Sequence, residues 1–192
     1  MAGPFVVSRN GAVIGAPPQQ VFEYLADMTR HGEWSLETDF QTTSPPLEQP
    51  GVGSVFRREK DGVMRGPLIV RGGMGDNPVR VVKTMTITAY EPYCSLVFET
   101  RNSYNGLLVS IDKVSFDLMQ EAEGTRVTMV SEVEAMVPGG FMGPVYAIRV
   151  ARAAFDRILR RRFSDRFSNM PPGPHLSRIK EMLETGKITS RI

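Results

Sequence analysis

Hydrophobic and polar positions alternate along most of the chain, and the period changes in two places. Phe5 to Gly15 is short, β-rich and broken only at Arg9-Asn10-Gly11, which predicts a first strand. Ala16-Pro17-Pro18 then opens a helix, because prolines in a first turn forfeit only N–H groups that would be orphaned anyway. Val21, Phe22 and Leu25 make one apolar face, with Gln20 and Glu23 outside it. Asp27 to Trp34 predicts a second short helical piece, and Glu37 to Thr43 a strand. The proline-rich stretch from Thr43 to Gly51 reads as a loop.

Alternation resumes at Ser54 to Lys60, with a short strand expected around Arg65 to Arg71 and a loop over Gly72 to Pro78. Four further strands follow at Val79 to Tyr90, Ser95 to Arg101, Leu107 to Leu118 and Thr125 to Val137. The turns between them are short enough to make successive strands antiparallel neighbours. After Gly139-Gly140 the period becomes helical. Phe141, Val145, Ile148, Phe155, Ile158, Leu159 and Phe163 share a face in a segment, Gly143 to Asn169, of about seven turns. Pro171-Pro172-Gly173-Pro174 stops it, and His175 to Glu184 is a last amphipathic helix.

A sheet with one apolar face needs a cover, and the C-terminal helix is the predicted element long enough to supply it. The expectation is an α+β fold: a curved antiparallel sheet around a long helix, with a hollow between them. Leu96, Phe98 and Thr100 share the inner face with Val81, Met85, Ile87 and Ala89, with Val114, Phe116 and Leu118, and with Val127, Met129 and Val133. Carried along those faces, Lys83, Thr100, Ser110, Asp112 and Ser131 also turn inward. A buried carboxylate needs a partner or water. Tight turns would set Ala89 opposite Leu96 and Leu96 opposite Asp112, which puts Lys83 out of ion-pair reach and Asp112 near Ser131.

The composition narrows the function classes. The 192 residues, 41% hydrophobic and 23% charged, suit one globular domain with a real core. Twenty-three Lys and Arg against 21 Asp and Glu leave a net charge of +2, too little to point to nucleic acid. The single Cys94 excludes an internal disulfide and fits a reducing compartment. Only His31 and His175 supply imidazoles, so no histidine-rich metal site and no cofactor is expected. The chain shows neither a signal-peptide pattern nor an apolar run near the ~18 residues of a membrane span, so a cytoplasmic location is expected.

Candidate chemistry is sparse. Cys94 sits in a predicted turn with nothing to activate its thiol. Gly72-Gly73-Met74-Gly75 leads to no helix, so it cannot cradle a dinucleotide. Gly139-Gly140 opens a helix, but the permissive backbone serves a sharp bend more naturally than an anion. Trp34 either stacks on a ligand ring or caps the core. The arginines between Arg149 and Arg166 read as a solvated face with Asp156 and Asp165 as counter-charges; contact with an anionic membrane surface is the sharper alternative. Arg149, one turn beyond Val145, approaches the hollow, where its donor fork suits a ligand carboxylate or enolate.

Several blocks together resemble the polyketide cyclase/dehydrase branch of the Bet v1-like (START-like, SRPBCC) superfamily. They are Gly15 to Met28 with His31 and Glu33-Trp34-Ser35, then Gly51-Val52-Gly53-Ser54, Ala89-Tyr90-Glu91-Pro92 with Leu96-Val97-Phe98-Glu99, and Gly124-Thr125-Arg126-Val127-Thr128. The resemblance implies a helix-grip fold over residues 1–168, with seven strands curled around the long helix and a cavity for a lipid, polyketide or quinone-like molecule. Residues 169–192 form an extension that the common pattern lacks; covering the pocket mouth, packing on the sheet and joining a homodimer are its open roles. The ligand-lining set expected from the faces is Trp34, Phe56, Met85, Ile87, Phe98, Asp112, Phe116, Met129, Ser131, Phe141, Val145 and Arg149. No catalytic motif of the cyclases is recognised, so a hydrophobic-ligand carrier is the first expectation. The alternative is a cyclase, aromatase or dehydratase with acid–base help from Asp112, Arg149 or Tyr146.

Overall fold

The computed structural model describes residues 5–35, 40–43, 50–68, 73–135 and 173–186. Seven antiparallel strands make one sheet: β1 (Phe5–Ile14), β2 (Gln41–Thr42), β3 (Val55–Leu68), β4 (Gly73–Glu91), β5 (Ser95–Tyr104), β6 (Leu107–Glu121) and β7 (Gly124–Ala135). Their order is β1-β7-β6-β5-β4-β3-β2, so each strand from β2 to β6 pairs with its successor and β1 lies at the far edge beside β7. Three α-helices are described, α1 (Pro18–Ala26), α2 (His31–Trp34) and α3 (Pro174–Thr185). The architecture is α+β. No described helix is long and apolar enough to cross a membrane.

Local chemistry explains the helices. Pro17 caps α1 in an extended conformation and Pro18 occupies its first turn, while Val21, Phe22 and Leu25 are buried. Asp27 ends α1, and its carboxylate accepts from the Thr29 N–H at 3.1 Å to start the 3₁₀ turn Met28–Arg30 that leads into α2. Pro174 opens α3, and Gly186, at φ 70°, closes it in the left-handed region. Leu176 and Ile179 of α3 join the same core as Phe22, Leu25, Trp34, Phe98 and Phe116. Each such fully buried side chain contributes about 1.5–3 kcal/mol by leaving water.

The strand limits differ from the sequence expectation where turn residues mislead. Residues 73–78, expected as a loop, extend β4 and pair with residues 63–68, so residues 65–68 of the expected separate strand are the far end of β3, and the rest of that expected strand lies outside the described residues. Ladder hydrogen bonds between the two strands override the low strand propensity of glycine and proline there. β5 runs three residues past its expected end, because the reversal is a two-residue turn at Asn105 (φ 49°) and Gly106 (φ 81°). The predicted long helix, Gly143 to Asn169, lies outside the described residues, and so do Phe141, Val145, Tyr146 and Arg149. The described helices share the cover of the core: α1 packs on β6 and β7, and α3 packs on α2 and β1.

Candidate functional site

A hollow of about 300 Å³ lies between the inner face of the sheet and the α2–α3 wall. The strand register builds its floor in steps. Lys83 stands opposite Asn102, and Asn102 opposite Ser110. One step on, Met85, Thr100 and Asp112 form a row; the next row is Ile87, Phe98, Val114 and Ser131. Leu96, Phe116 and Met129 form a further row. Side chains on one face repeat every second residue, so polarity is graded along the strands. Lys83, Thr100 and Asp112 mark one end, while Phe98, Val114 and Met129 line the rest, with Ser131 at the edge.

The polar end is internally bonded. Asn102, only 6% exposed, donates through Nδ2 to Asp112 Oδ2 at 2.6 Å and to Ser110 Oγ at 2.9 Å. Asp112 therefore finds its partner across β5 and not in Ser131, which lies two residues farther along β7. The register also corrects the expected alignment: Leu96 faces Phe116, and Asp112 faces Thr100. Lys83 and Asp112 consequently line the same hollow.

The opposite wall comes from His31, Trp34 and Ser35, and from His175 at the start of α3. The Trp34 ring lies 4.2 Å from the His31 ring between centroids and meets Phe116 edge-on at 6.0 Å. His175 Nδ1 donates to the Trp34 carbonyl at 3.4 Å, and Arg178 donates to the Ser35 carbonyl at 2.9 Å. The expected alternatives for Trp34 thus merge: it is 4% exposed, belongs to the core and also lines the hollow. Its indole Nε1 is buried with no hydrogen-bond partner. An unmet buried donor costs about 1–3 kcal/mol.

Arg58, 1% exposed, reaches under this wall from β3, with a terminal nitrogen 2.6 Å from His31 Nδ1. A guanidinium only donates, so Nδ1 accepts and the His31 proton sits on Nε2. Burial drives the His31 pKa well below its usual value, and the charges of Arg58, Lys83 and His175 push the same way. Below about pH 6.5 the unfolded chain binds a proton at His31 that the folded chain refuses, so stability falls with acidification. The loss is up to about 1.4 kcal/mol per pH unit until the folded-state pKa is reached; above that window His31 contributes no slope. Urea unfolding of wild type and His31→Gln at pH 7.5 and 5.5 checks it: the wild type should lose more stability between the two pH values.

A model of the family described as polyketide cyclase/dehydrase and lipid transport matches residues 6–163. The chain belongs to that family. A protein from Rhizobium leguminosarum has the same fold, at TM-score 0.53 and 13% identity over 96% of this chain and 97% of that one. A protein from Chromobacterium violaceum aligns at TM-score 0.49 and 12% identity over 92% and 96% of the two chains. DynU16, a protein of the dynemicin biosynthetic locus, aligns at TM-score 0.46 and 19% identity; 94% of this chain spans 48% of DynU16. No curated protein matches the sequence.

Within this member of the polyketide cyclase/dehydrase and lipid transport family, six of the expected lining residues meet at the hollow: Trp34, Met85, Phe98, Asp112, Met129 and Ser131. Ile87 and Phe116 are completely buried in the core behind it. Phe56 lines a separate hollow of about 340 Å³ at the end of α1, with Glu23, Asp27, Met28 and Tyr90. Phe141, Val145 and Arg149 lie outside the described residues. The sequence reading missed His31, Arg58, Asn102 and His175. Asn102 continues the alternation Leu96, Phe98, Thr100 and was legible; the other three depend on contacts distant in sequence.

Proposed function

We propose that the protein binds a hydrophobic small molecule, of lipid, polyketide or quinone type, in the hollow of a helix-grip fold and acts as a carrier or binding protein. The observation that carries this is the floor of Met85, Phe98, Val114 and Met129 around an open volume of about 300 Å³. That volume is at the lower end of small-molecule sites, about 300–1,000 Å³. The family's description, which includes lipid transport, supports the same reading.

Four titratable side chains, His31, Lys83, Asp112 and His175, border the hollow, more than the sequence led us to expect, and they keep an enzymatic reading in view. Two features favour binding without chemistry. His31 Nδ1 is already engaged by Arg58, and Asp112 already accepts from Asn102, so neither stands open as a base. Val114→Phe puts a ring into the hollow from a half-buried position. It should weaken binding of an anilinonaphthalene sulfonate probe by about tenfold or more while the melting temperature stays near wild type. Unchanged probe binding would remove the reading. Turnover of a poly-β-keto thioester mimic that Asp112→Asn abolishes would transfer the site to the cyclase, aromatase or dehydratase alternative, in which Arg149 and Tyr146 are the other expected helpers.

A further inference from the structure

The polar end of the hollow keeps hydrogen-bonding capacity that the protein does not use. Asn102 donates to Asp112 Oδ2 at 2.6 Å, and among the described residues nothing hydrogen-bonds or ion-pairs with Oδ1. The Thr100 and Ser131 hydroxyls line the same space and are likewise without a hydrogen-bond partner among the described residues. None of the three oxygens is sealed from solvent, whereas the Trp34 indole nitrogen is. Register brings them together. Thr100 stands opposite Asp112, which sets their Cβ atoms about 4.5–5.5 Å apart, and Ser131 is the diagonal neighbour of Asp112 on β7. Asp112 is the one acidic side chain among the described residues that line this hollow. The cations near it are turned elsewhere: Lys83 Nζ lies over the Phe40 ring beside β2, 5.1 Å from its centroid, and Arg58 is 1% exposed against His31.

We infer that Asp112 Oδ1, with the Thr100 and Ser131 hydroxyls beside it, is a subsite for an O–H group of the guest, so that the pocket takes a phenol, enol or alcohol in preference to an ether or a carboxylate of similar shape. This rests on the hollow being the binding site. A carboxylate oxygen only accepts, so the guest must supply the hydrogen; the two hydroxyls both donate and accept, and answer the guest's oxygen. Hydrogen bonds to a charged group are the stronger kind. A guest that lacks the hydrogen displaces water from Oδ1 without replacing its bond. A guest carboxylate would set two like charges together. Accepting a hydrogen bond does not require taking the proton, so the subsite selects a ligand and adds no reaction to the binding reading.

The test uses 2-naphthol, 2-methoxynaphthalene and 2-naphthoate, which share a ring system and differ in the group offered to Oδ1. Calorimetric titration of wild type at pH 7 should give a dissociation constant for the naphthol about tenfold or more below that of the ether, with the naphthoate weakest. Asp112→Asn keeps the shape of the side chain. Asn102 still claims its carbonyl oxygen, so the amide faces the hollow with N–H donors in place of an acceptor. In that variant the preference for naphthol over ether should fall below about threefold, and naphthoate should tighten by about fivefold or more. If wild type binds naphthol and ether within about twofold of each other, the subsite is overturned without any variant. A preference that survives Asp112→Asn unchanged overturns it too. In either case the bound naphthalenes leave the binding site standing. If none of the three binds, the hollow is not the site, and the subsite goes with it.

Discussion

Gly124→Ala is expected to destabilise the protein by about 2–5 kcal/mol, the sum of left-handed backbone strain and a clash that cannot relax. Gly124 has φ +137°, and a Cβ built there would lie 2.1 Å from the Ile14 carbonyl oxygen, 2.9 Å from its carbon and 3.0 Å from Gly15 Cα. All three are backbone atoms, so no rotamer change yields room. The site also joins two strands at their ends: Thr125 pairs with Ile14, and its hydroxyl donates to the Ala16 carbonyl at 2.7 Å. Pushing Gly124 away therefore loosens the β1–β7 ladder where α1 begins. Gly106→Ala is the matched control, since Gly106 has φ +81° with nothing within 4 Å of its Cβ position. It should cost only the backbone strain, about 1–3 kcal/mol. Equal urea midpoints for the two variants would refute the steric account.

Gly124-Thr125 illustrates what a sequence discloses and what it withholds. The block is recognisable as a motif, but the carbonyl it must clear belongs to a residue 110 positions away. The inner-face residues followed from alternation alone, and Thr100, Asp112 and Ser131 do border the hollow. Their partners did not follow. Leu96 was expected opposite Asp112 and lies opposite Phe116, a slip of four residues. An even slip keeps side chains on their faces while changing every neighbour, which is why most faces survived the error and the Asn102–Asp112 bond escaped notice; Ala89 did not keep its face, because a bulge after Ile87 sets Tyr90 opposite Leu96 and Ala89 opposite Val97. Arg57 and Arg58 show a stricter limit. Adjacent in sequence and identical in type, one is exposed and the other is 1% exposed beside His31. Alternation from Phe56 turns Arg58 inward, but nothing local says what a buried guanidinium meets there, because its acceptor comes from another element.

Shortening both apolar anchors of α3 should be the other large effect. The sequence places this helix in an extension beyond the domain, and the family match ends at residue 163. Yet Leu176 and Ile179 are 0% exposed and share a core with Trp34, Phe98 and Phe116. Truncating one buried Leu or Ile to Ala costs about 2–5 kcal/mol, from lost transfer energy and the cavity left behind. The two sites lie close together on one helix face, so their costs need not add. Leu176→Ala/Ile179→Ala should still consume a large part of a typical total stability of about 5–15 kcal/mol. The polar contacts cannot compensate, because Lys180 to the Val13 carbonyl and Glu184 to the Gly15 N–H are exposed bonds. The loss should reach the hollow as well. His175 and Arg178 hold the carbonyls of Trp34 and Ser35, so a loosened helix wets the single tryptophan. Its emission should shift to the red at urea concentrations below those that unfold the sheet, read by far-ultraviolet circular dichroism. If the double variant melts with the wild type and its tryptophan emission is unmoved, α3 is an appendage, and the wall it lends to the hollow is dispensable.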